Sequence, residues 1–392
     1  MINRIRNALL AARLRRVLVQ ALDHVPLYAR EWKAAGIDPL QLELPRELHR
    51  LPVLRKAVLA STPIEDRCDA RFLRAKLREE PTSGSTGQPC VVRIDPRSLR
   101  RRRIRFLRAL MACGYRPGQR LMLITDPPYP RGAAWVRWTY VDLRLGEQAI
   151  WDAYERTKPH VLYGPLSSLL LLARRVSSAR RHGPRLVVST AEQLTVGHRR
   201  TLEEAFGAPV ADFYGMAELG LIAFAPPGER CYRVFPGEHF IEQLPVVGAD
   251  GLRRLVVTDL GGGAMPLVRF DTGDLVRVDE TRCDAPIVQI SGREVDCLRL
   301  ANGGWLSPFE VTLALDRVAG IRQYQVVQRD DFGIDLFVSP GTRDASAVLE
   351  RAREALLAVC GSSTPIAVHE RSEQPLQPDR KQRVVSSYVG AV

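Results

Sequence analysis

Between residues 120 and 214, short β-rich runs take turns with helical ones. The runs RLMLIT (120–125), HVLYG (160–164), RLVVS (185–189) and VADFY (210–214) read as strands, and PLSSLLLLARRVSSARR and TVGHRRTLEEAFG fall between the later three. The second helical stretch carries its own boundaries, with Thr195 as a cap at the start and Gly207 as a stop. Strand, helix, strand, helix implies βαβ units and a parallel sheet. Ligands of such sheets gather beyond the carboxyl ends of the strands, where the loops converge. The expected fold class is α/β, with its site at that end.

The flanks follow other rhythms. In the first eighty residues Leu10, Leu14, Val17, Leu18, Leu22 and Val25 recur at the helical period, Pro26 breaks the pattern, Tyr28 and Trp32 sit four apart, and Gly36 ends the turn. From about 230 to 290 the helices vanish, and turn signals such as FPG, VGADG and DTGD punctuate short strands, which suggests a small antiparallel or barrel-like unit. A helix at Pro308–Val318, strands IRQYQVVQ and GIDLFVS, a helix over DASAVLERAREALLAVCG and a strand PIAVHE make a final α+β lobe. The expected division is 1–290 (helical start 1–80, αβ core 81–228, β unit 229–290) and 291–392.

Composition removes several classes. At 45% hydrophobic and 26% charged over 392 residues, the chain reads as soluble, with material for two or three domains. The apolar run around Leu169–Ala173 is far shorter than the ~20 residues that span a bilayer, and no secretory leader is read. Seven scattered cysteines without a CxxC suggest neither a disulfide framework nor a zinc cluster, and a reducing cytoplasm fits. Cys231 and His239 are two candidate metal ligands short of a site and read as ordinary residues. The net charge of +13 raises nucleic acid as a partner, with the densest patch at Arg97–Arg108. On a helix those arginines leave Leu99, Ile104, Phe106, Leu107 and Leu110 for the buried side. Of 57 basic residues only Lys33, Lys56, Lys76, Lys158 and Lys381 are lysines, so the charge is a chain-wide arginine bias and a solvated helix face is favoured over a nucleic-acid stripe.

PTSGSTGQP, residues 81–89, is the loop richest in backbone N–H groups and hydroxyls. Gly84 and Gly87 let amides point inward, while Thr82, Ser83, Ser85 and Thr86 add donors, a concavity suited to phosphate oxygens. No lysine follows Gly87 and Gln88-Pro89 would abort a helix, so it is not a GxxxxGK[ST] P-loop. Alone, such a loop is more often a solvated connection.

Downstream motifs change that weight. With TSGSTG, the stretches DFYGMAELG (212–220), VRFDTGDLVRV (268–278), SGREVDCLRLANGGWLSPFE (291–310) and QPDRKQRVV (377–385) resemble, in order and spacing, the core motifs of the adenylate-forming superfamily of acyl-CoA synthetases. HVPLYAREWKAAGIDP, LPVLRK (51–56), KPHVLYGPLSSL (158–169) and STAEQLT (189–195) place the likeness in the phenylacetate–CoA ligase branch, over roughly residues 15–385. The resemblance implies an adenylate-forming fold: a large N-terminal αβ domain with a parallel sheet and a small β unit, and a small mobile C-terminal lid. It implies activation of a small aryl or acyl carboxylic acid by ATP and Mg²⁺, giving an acyl-adenylate that passes to a thiol, coenzyme A first.

Residue by residue, the resemblance implies that Thr82–Gly87 hold the β- and γ-phosphates, that Glu218 holds Mg²⁺, and that Asp274 grips the ribose hydroxyls. Thr190, Ala191 and Glu192 line adenine, Asp212, Tyr214, Gly215 and Met216 lie against the nucleotide, and Arg293 reaches ribose and phosphate from the domain junction. Lys381, a lysine in an arginine-rich chain, falls at the catalytic position, where a compact ammonium enters between carboxylate and α-phosphate. The lid pivots near Glu294, Val295 and Asp296. Two positions depart from the pattern: Gln88 stands where close relatives often have lysine, and Val295 where many carry aspartate or lysine.

For the acid, Tyr129, Trp135 and Trp138 in TDPPYPRGAAWVRWTY, with Gly164 nearby, are candidates to line an apolar pocket, core packing being the equal alternative. A carrier-protein phosphopantetheine is a second acceptor, since acyl carrier proteins are acidic and the Arg97–Arg108 face is basic; an amine is a third. A non-catalytic nucleic-acid-binding protein is the competing class, disfavoured by the complete motif set. The acid, the pathway and the oligomeric state, with a homodimer among the options, stay open.

Overall fold

A computed structural model describes residues 2–81, 90–125, 137–179, 183–229, 231–235, 237–249, 251–278, 287, 289–342, 344–373 and 383–389. Helix α1 (Ile2–His24) buries Leu14, Val17 and Leu18, as the periodicity predicts. Pro26 does more than end it: it occupies the first turn of a second helix, Pro26–Ala34, where its missing N–H costs nothing. Tyr28 on that helix donates to the Pro266 carbonyl (2.9 Å) and accepts from the Val268 amide (2.9 Å). The helical start thus shares one core with the antiparallel β unit, through Trp32, Leu54, Val257 and Phe270.

Helices α2 (Lys56–Ser61) and α3 (Pro96–Ala112) flank a hairpin, Arg78–Pro81 with Val91–Ile94, whose Pro81↔Val91 pair closes the base of the glycine–hydroxyl stretch. Next come β1 (Leu121–Thr125), β2 (Trp138–Asp142), α4 (Gly146–Thr157), β3 (Val161–Pro165), α5 (Leu166–Ala179), β4 (Leu186–Thr190), α6 (Val196–Phe206), β5 (Val210–Met216), β6 (Gly220–Ala225) and β7 (Arg233–Val234). They form a seven-stranded sheet, order β2-β1-β3-β4-β5-β6-β7, parallel through β5 and antiparallel at β6 and β7. The βαβ reading therefore holds. Thr195 caps α6 through the His198 amide (3.1 Å), and Gly207 ends it in the left-handed conformation.

One face of the sheet carries α4, α5 and α6 over Met122, Leu162 and Val187; the other carries α3 over Leu121, Val188 and Phe213. Helix α3 differs from expectation on one face. Ile104 is exposed and Arg105 is buried. The reason lies below the helix, where Arg105 has acceptors that isoleucine would leave unpaired.

The β unit is a meander, β8 (His239–Pro245), β9 (Arg253–Asp259), β10 (Phe270–Arg277) and β11 (Gln289–Arg293). From Leu298 onward a separate core packs α7 (Pro308–Leu315) and α8 (Ala345–Cys360) on a sheet ordered β14-β13-β12-β15, with β12 Ile321–Gln328, β13 Ile334–Pro340, β14 Ile366–Glu370 and β15 Val385–Ser387. Strand β15, absent from the sequence reading, pairs in parallel with β12. Among the described residues no helix is long and apolar enough to cross a membrane.

Candidate active site

A cleft of about 2030 Å³ opens at the carboxyl ends of β4 and β5, between the large lobe and the small one. Ala191, Glu192, Asp212, Tyr214, Gly215, Met216, Glu218, Asp274 and Arg293, all named from the sequence, line it. They come from four segments, so the fold makes the site.

The end of β4 supplies the first wall. Thr190 turns away from the cleft and donates to the Phe213 carbonyl (3.0 Å), tying β4 to β5. Ala191 then adopts φ of +68°, a left-handed conformation costly for a residue with a Cβ, which turns Glu192 across the mouth. The Glu192 carboxylate accepts from the Ser167 hydroxyl (2.8 Å) at the start of α5.

Strand β5 supplies the floor. Asp212 is buried and accepts from the Tyr232 hydroxyl. Burial pushes its carboxyl up to about 6, with Tyr232 and Arg199 drawing it the other way. Two residues on, Tyr214 donates to Asp274 Oδ2 (2.6 Å), and burial and the adjacent carboxylate raise its phenol well above the ordinary value. Gly215 is required by close approach: a Cβ there would lie 2.6 Å from the Gly220 carbonyl oxygen across the β5–β6 turn.

That turn carries Glu218, whose side chain is 2% exposed. Arg102 of α3 donates to the Ala217 (2.8 Å) and Glu218 (2.5 Å) carbonyls, and Arg105 donates to the Leu219 carbonyl (2.7 Å). Arg105 also donates to His239 Nε2 (3.2 Å) and faces Glu238 (3.5 Å). Burial first, then Arg105, push His239 down to about 3, so it is a neutral acceptor. The densest stretch of the basic patch is thus partly turned inward, and His239 serves an arginine. Among the described residues no group of three or more His, Cys, Asp or Glu side chains is poised to hold a metal.

The opposite wall comes from the meander. Asp274 on β10 and Arg293 on β11 are cross-strand partners, so the ladder fixes them side by side. Beyond Arg293, Glu294 accepts twice from Arg254 (2.8 and 2.7 Å), and Asp296 faces Arg383 of the small lobe (3.8 Å). Val295 between them is 51% exposed. Across the mouth, Asp316 at the end of α7 accepts from the Gly197 amide of α6 (3.0 Å) and from the Tyr324 hydroxyl (2.8 Å).

Thr82, Ser83, Gly84, Ser85, Thr86, Gly87 and Gln88, with Tyr129, Trp135 and Lys381, lie outside the described residues. Their flanks do not: Pro81, Glu373 and Arg383 all line the same cleft. Trp138 donates to the Tyr115 hydroxyl (3.0 Å) and meets Phe106 edge-on, which is core packing. Gly164 faces the sheet, where its Cβ position is 3.0 Å from Ile124, while Leu166 and Ser167 after it line the cleft.

Lys56 was not singled out in the sequence. Its ammonium sits 2.8 Å from Glu218 Oε1. The lysine-among-arginines argument made for Lys381 applies to it equally, and it closes the LPVLRK motif.

No family model matches the chain. It is 28% identical over 368 residues to a phenylacetate–coenzyme A ligase of Thermus thermophilus, covering 84% of this chain and 79% of that one. The same description applies to an Escherichia coli protein at 27% over 322 residues, 74% and 72% of the two chains. Among solved structures, 2-hydroxyisobutyryl-CoA ligase in its postadenylation state, with an acyl-AMP bound, superposes with a TM-score of 0.80 at 20% identity, covering 97% and 89% of the chains. The same ligase with its acyl-AMP and CoA in the thioesterification state scores 0.63 at 22% identity, covering 98% and 90%. The chain therefore has the fold of adenylate-forming CoA ligases, and the likeness to phenylacetate–CoA ligases seen in its motifs extends over most of its length.

Proposed function

We propose that this chain is an AMP-forming acid–thiol ligase: it activates a small carboxylic acid with ATP and passes the acyl group to coenzyme A. The observation that carries the reading is the convergence of Ala191, Tyr214, Glu218, Asp274 and Arg293, from four separate segments, on one interlobe cleft. In the first half-reaction a carboxylate oxygen attacks the α-phosphorus and the bond to pyrophosphate breaks. In the second, the thiol sulfur attacks the acyl carbon, AMP leaves, and the thiol proton passes to solvent. Two anions must meet in the first step, so catalysis rests on positioning and on charge already in place.

Asp274, pinned by Tyr214 and flanked by Arg293, would hold ribose hydroxyls with its two oxygens. The Ala191–Glu192 turn and Tyr214 form the walls for the base. Glu218 fits a divalent cation: its Oε1 is buried and accepts no aligned hydrogen bond among the described residues, although Lys56 is close by. Bound there together with phosphate oxygens, Mg²⁺ would supply neutralising charge. Glu218 itself would hold it, and Arg102 keeps the backbone of Glu218 in place.

Coenzyme A is favoured over a carrier protein because part of the arginine face is spent inside the large lobe, and the similar Thermus thermophilus protein is a coenzyme A ligase. The test is ATP–pyrophosphate exchange across a panel of aryl and alkyl acids, followed by addition of coenzyme A, a carrier protein or amines to the preformed adenylate. Exchange with at least one acid and thioester formation with coenzyme A are expected. A folded preparation that exchanges with no acid overturns the reading. Lys381→Ala is expected to abolish exchange while leaving ATP binding largely intact.

A further inference from the structure

Lys56 is anchored with unusual care for a residue at the start of a six-residue helix. Two residues before it, Leu54 donates its amide to the Arg269 carbonyl (2.9 Å) and accepts from the Asp271 amide (2.9 Å), so the LPVLR segment adds a short parallel bridge to β10. That bridge pairs Leu54 with Phe270, four residues before Asp274. Two residues on, the Lys56 ammonium lies 2.8 Å from Glu218 Oε1, with the two side chains 15% and 2% exposed. At 2.8 Å the contact has the length of a charge-assisted hydrogen bond, although it lies off the usual alignment. An ammonium with three rotatable donors on a flexible four-carbon stem can re-aim at a new acceptor.

We infer that Lys56 is the resident counter-ion of the nucleotide site, neutralising Glu218 while the site is empty and moving to the phosphate oxygens when the metal and nucleotide arrive. The inference rests on the proposed ligase reading and deepens it. A carboxylate that is 2% exposed needs a counter-charge, and a divalent cation arriving at Oε1 would meet the like charge of the ammonium already 2.8 Å from it. That repulsion would drive the ammonium off. The displaced ammonium stays tethered at the lining of the cleft, where it would meet the phosphates that come with the metal, and nucleotide binding would then reuse a charge already present.

The signature is a pair of effects with opposite signs. Lys56→Met should bind Mn²⁺ about tenfold more tightly than the wild type without nucleotide, read by electron paramagnetic resonance of free Mn²⁺. The same variant should raise the KM for ATP in pyrophosphate exchange by about tenfold or more. Lys56→Arg should keep wild-type Mn²⁺ affinity yet not restore the KM. Unchanged or weaker Mn²⁺ binding by Lys56→Met overturns the inference, since a purely structural lysine would loosen the site for everything. Should Lys56→Met fail to fold, Lys56→Gln, polar and of similar length, takes its place in the same titration. Failure of the ligase reading looks different: the wild type would exchange with no acid, while the Mn²⁺ competition, measured without nucleotide, would stand or fall separately.

Discussion

Arg105 under the floor of the cleft is 3% exposed and serves a carbonyl, a neutral histidine and a carboxylate at once, whereas Arg174 at the seam between the lobes reaches Glu373 with about half of its side chain in water. The floor is held by arginines donating into the Ala217–Leu219 turn from a helix that cannot shift without dragging the sheet. At the mouth the lobes meet through the Gly197 amide on Asp316 and through exposed ion pairs such as Arg174–Glu373, while on the meander side the Arg277–Glu310 pair (2.6 Å) and the Trp305 amide on the Gly248 carbonyl (3.1 Å) also join them. A buried guanidinium earns its place only by having every neighbour arranged around it. An exposed pair holds two side chains for almost no net energy and can be remade elsewhere. The same residue type therefore fixes the Ala217–Leu219 turn from below and, at the mouth of the cleft, makes a contact that is easily remade.

The strongest way to break this contrast is Arg105→Leu. It strands the Leu219 carbonyl and Glu238, and should cost about 3 kcal/mol, seen as a lowered melting midpoint together with loss of exchange activity. A wild-type melt would mean the floor is not held from α3. Second comes Asp212→Asn. The native carboxyl sits at about 6, above its ordinary value, so the folded protein binds the proton more tightly than the unfolded chain does. The associated stability is complete below about pH 4 and is lost as pH rises through 6. Relative to Asp212→Asn, the wild type should lose about 2–3 kcal/mol of stability between pH 4 and 7. A flat difference between their melting curves would place Asp212 in contact with water.

What the sequence disclosed and what it hid divide along the same line. The βαβ run was legible because each strand is a short apolar block and α6 carries its own cap and stop in Thr195 and Gly207. The small lobe was legible for the same local reasons, except β15, three residues whose only claim to be a strand is a partner near residue 326. Asp274, Glu218 and Arg293 were found through motifs, and the fold brings them together. Lys56, Arg105 and Tyr232 were missed because each acts on a residue far away in sequence, Glu218, Leu219 and Asp212. Arg105 was misjudged outright: helical periodicity assigns arginine to water unless its acceptors are known.

At the seam a smaller effect is expected, and with a different readout. In a helix, glycine to alanine ordinarily stabilises by about 0.8–1 kcal/mol. At Gly197 the new Cβ would lie 2.9 Å from Asp316 Oδ2 and push the small lobe off. Gly197→Ala should leave the melt of the large lobe within about 0.5 kcal/mol of the wild type, while scattering reports a more open pair of lobes. Exchange should slow relative to thioester formation. A loss of 2 kcal/mol in the large lobe would show that the seam is as structural as the floor.

The smallest effect sharpens the contrast most. Arg174→Ala removes an exposed pair whose side chains are 49% and 31% accessible, and should change stability by no more than about 0.5 kcal/mol. Its measurable consequence is ionic. Glu373 is the last described residue before the stretch that carries Lys381, so the pair ties the root of that stretch to α5 in the large lobe. Salt screens such a pair within about a Debye length, and wild-type lobe opening should therefore rise with ionic strength between about 10 and 300 mM, while the Arg174→Ala protein, already released, should respond less. Equal salt dependence in the two proteins would mean that the root of the lysine-bearing stretch is held by something other than charge, and that the seam, like the floor, is packed shut.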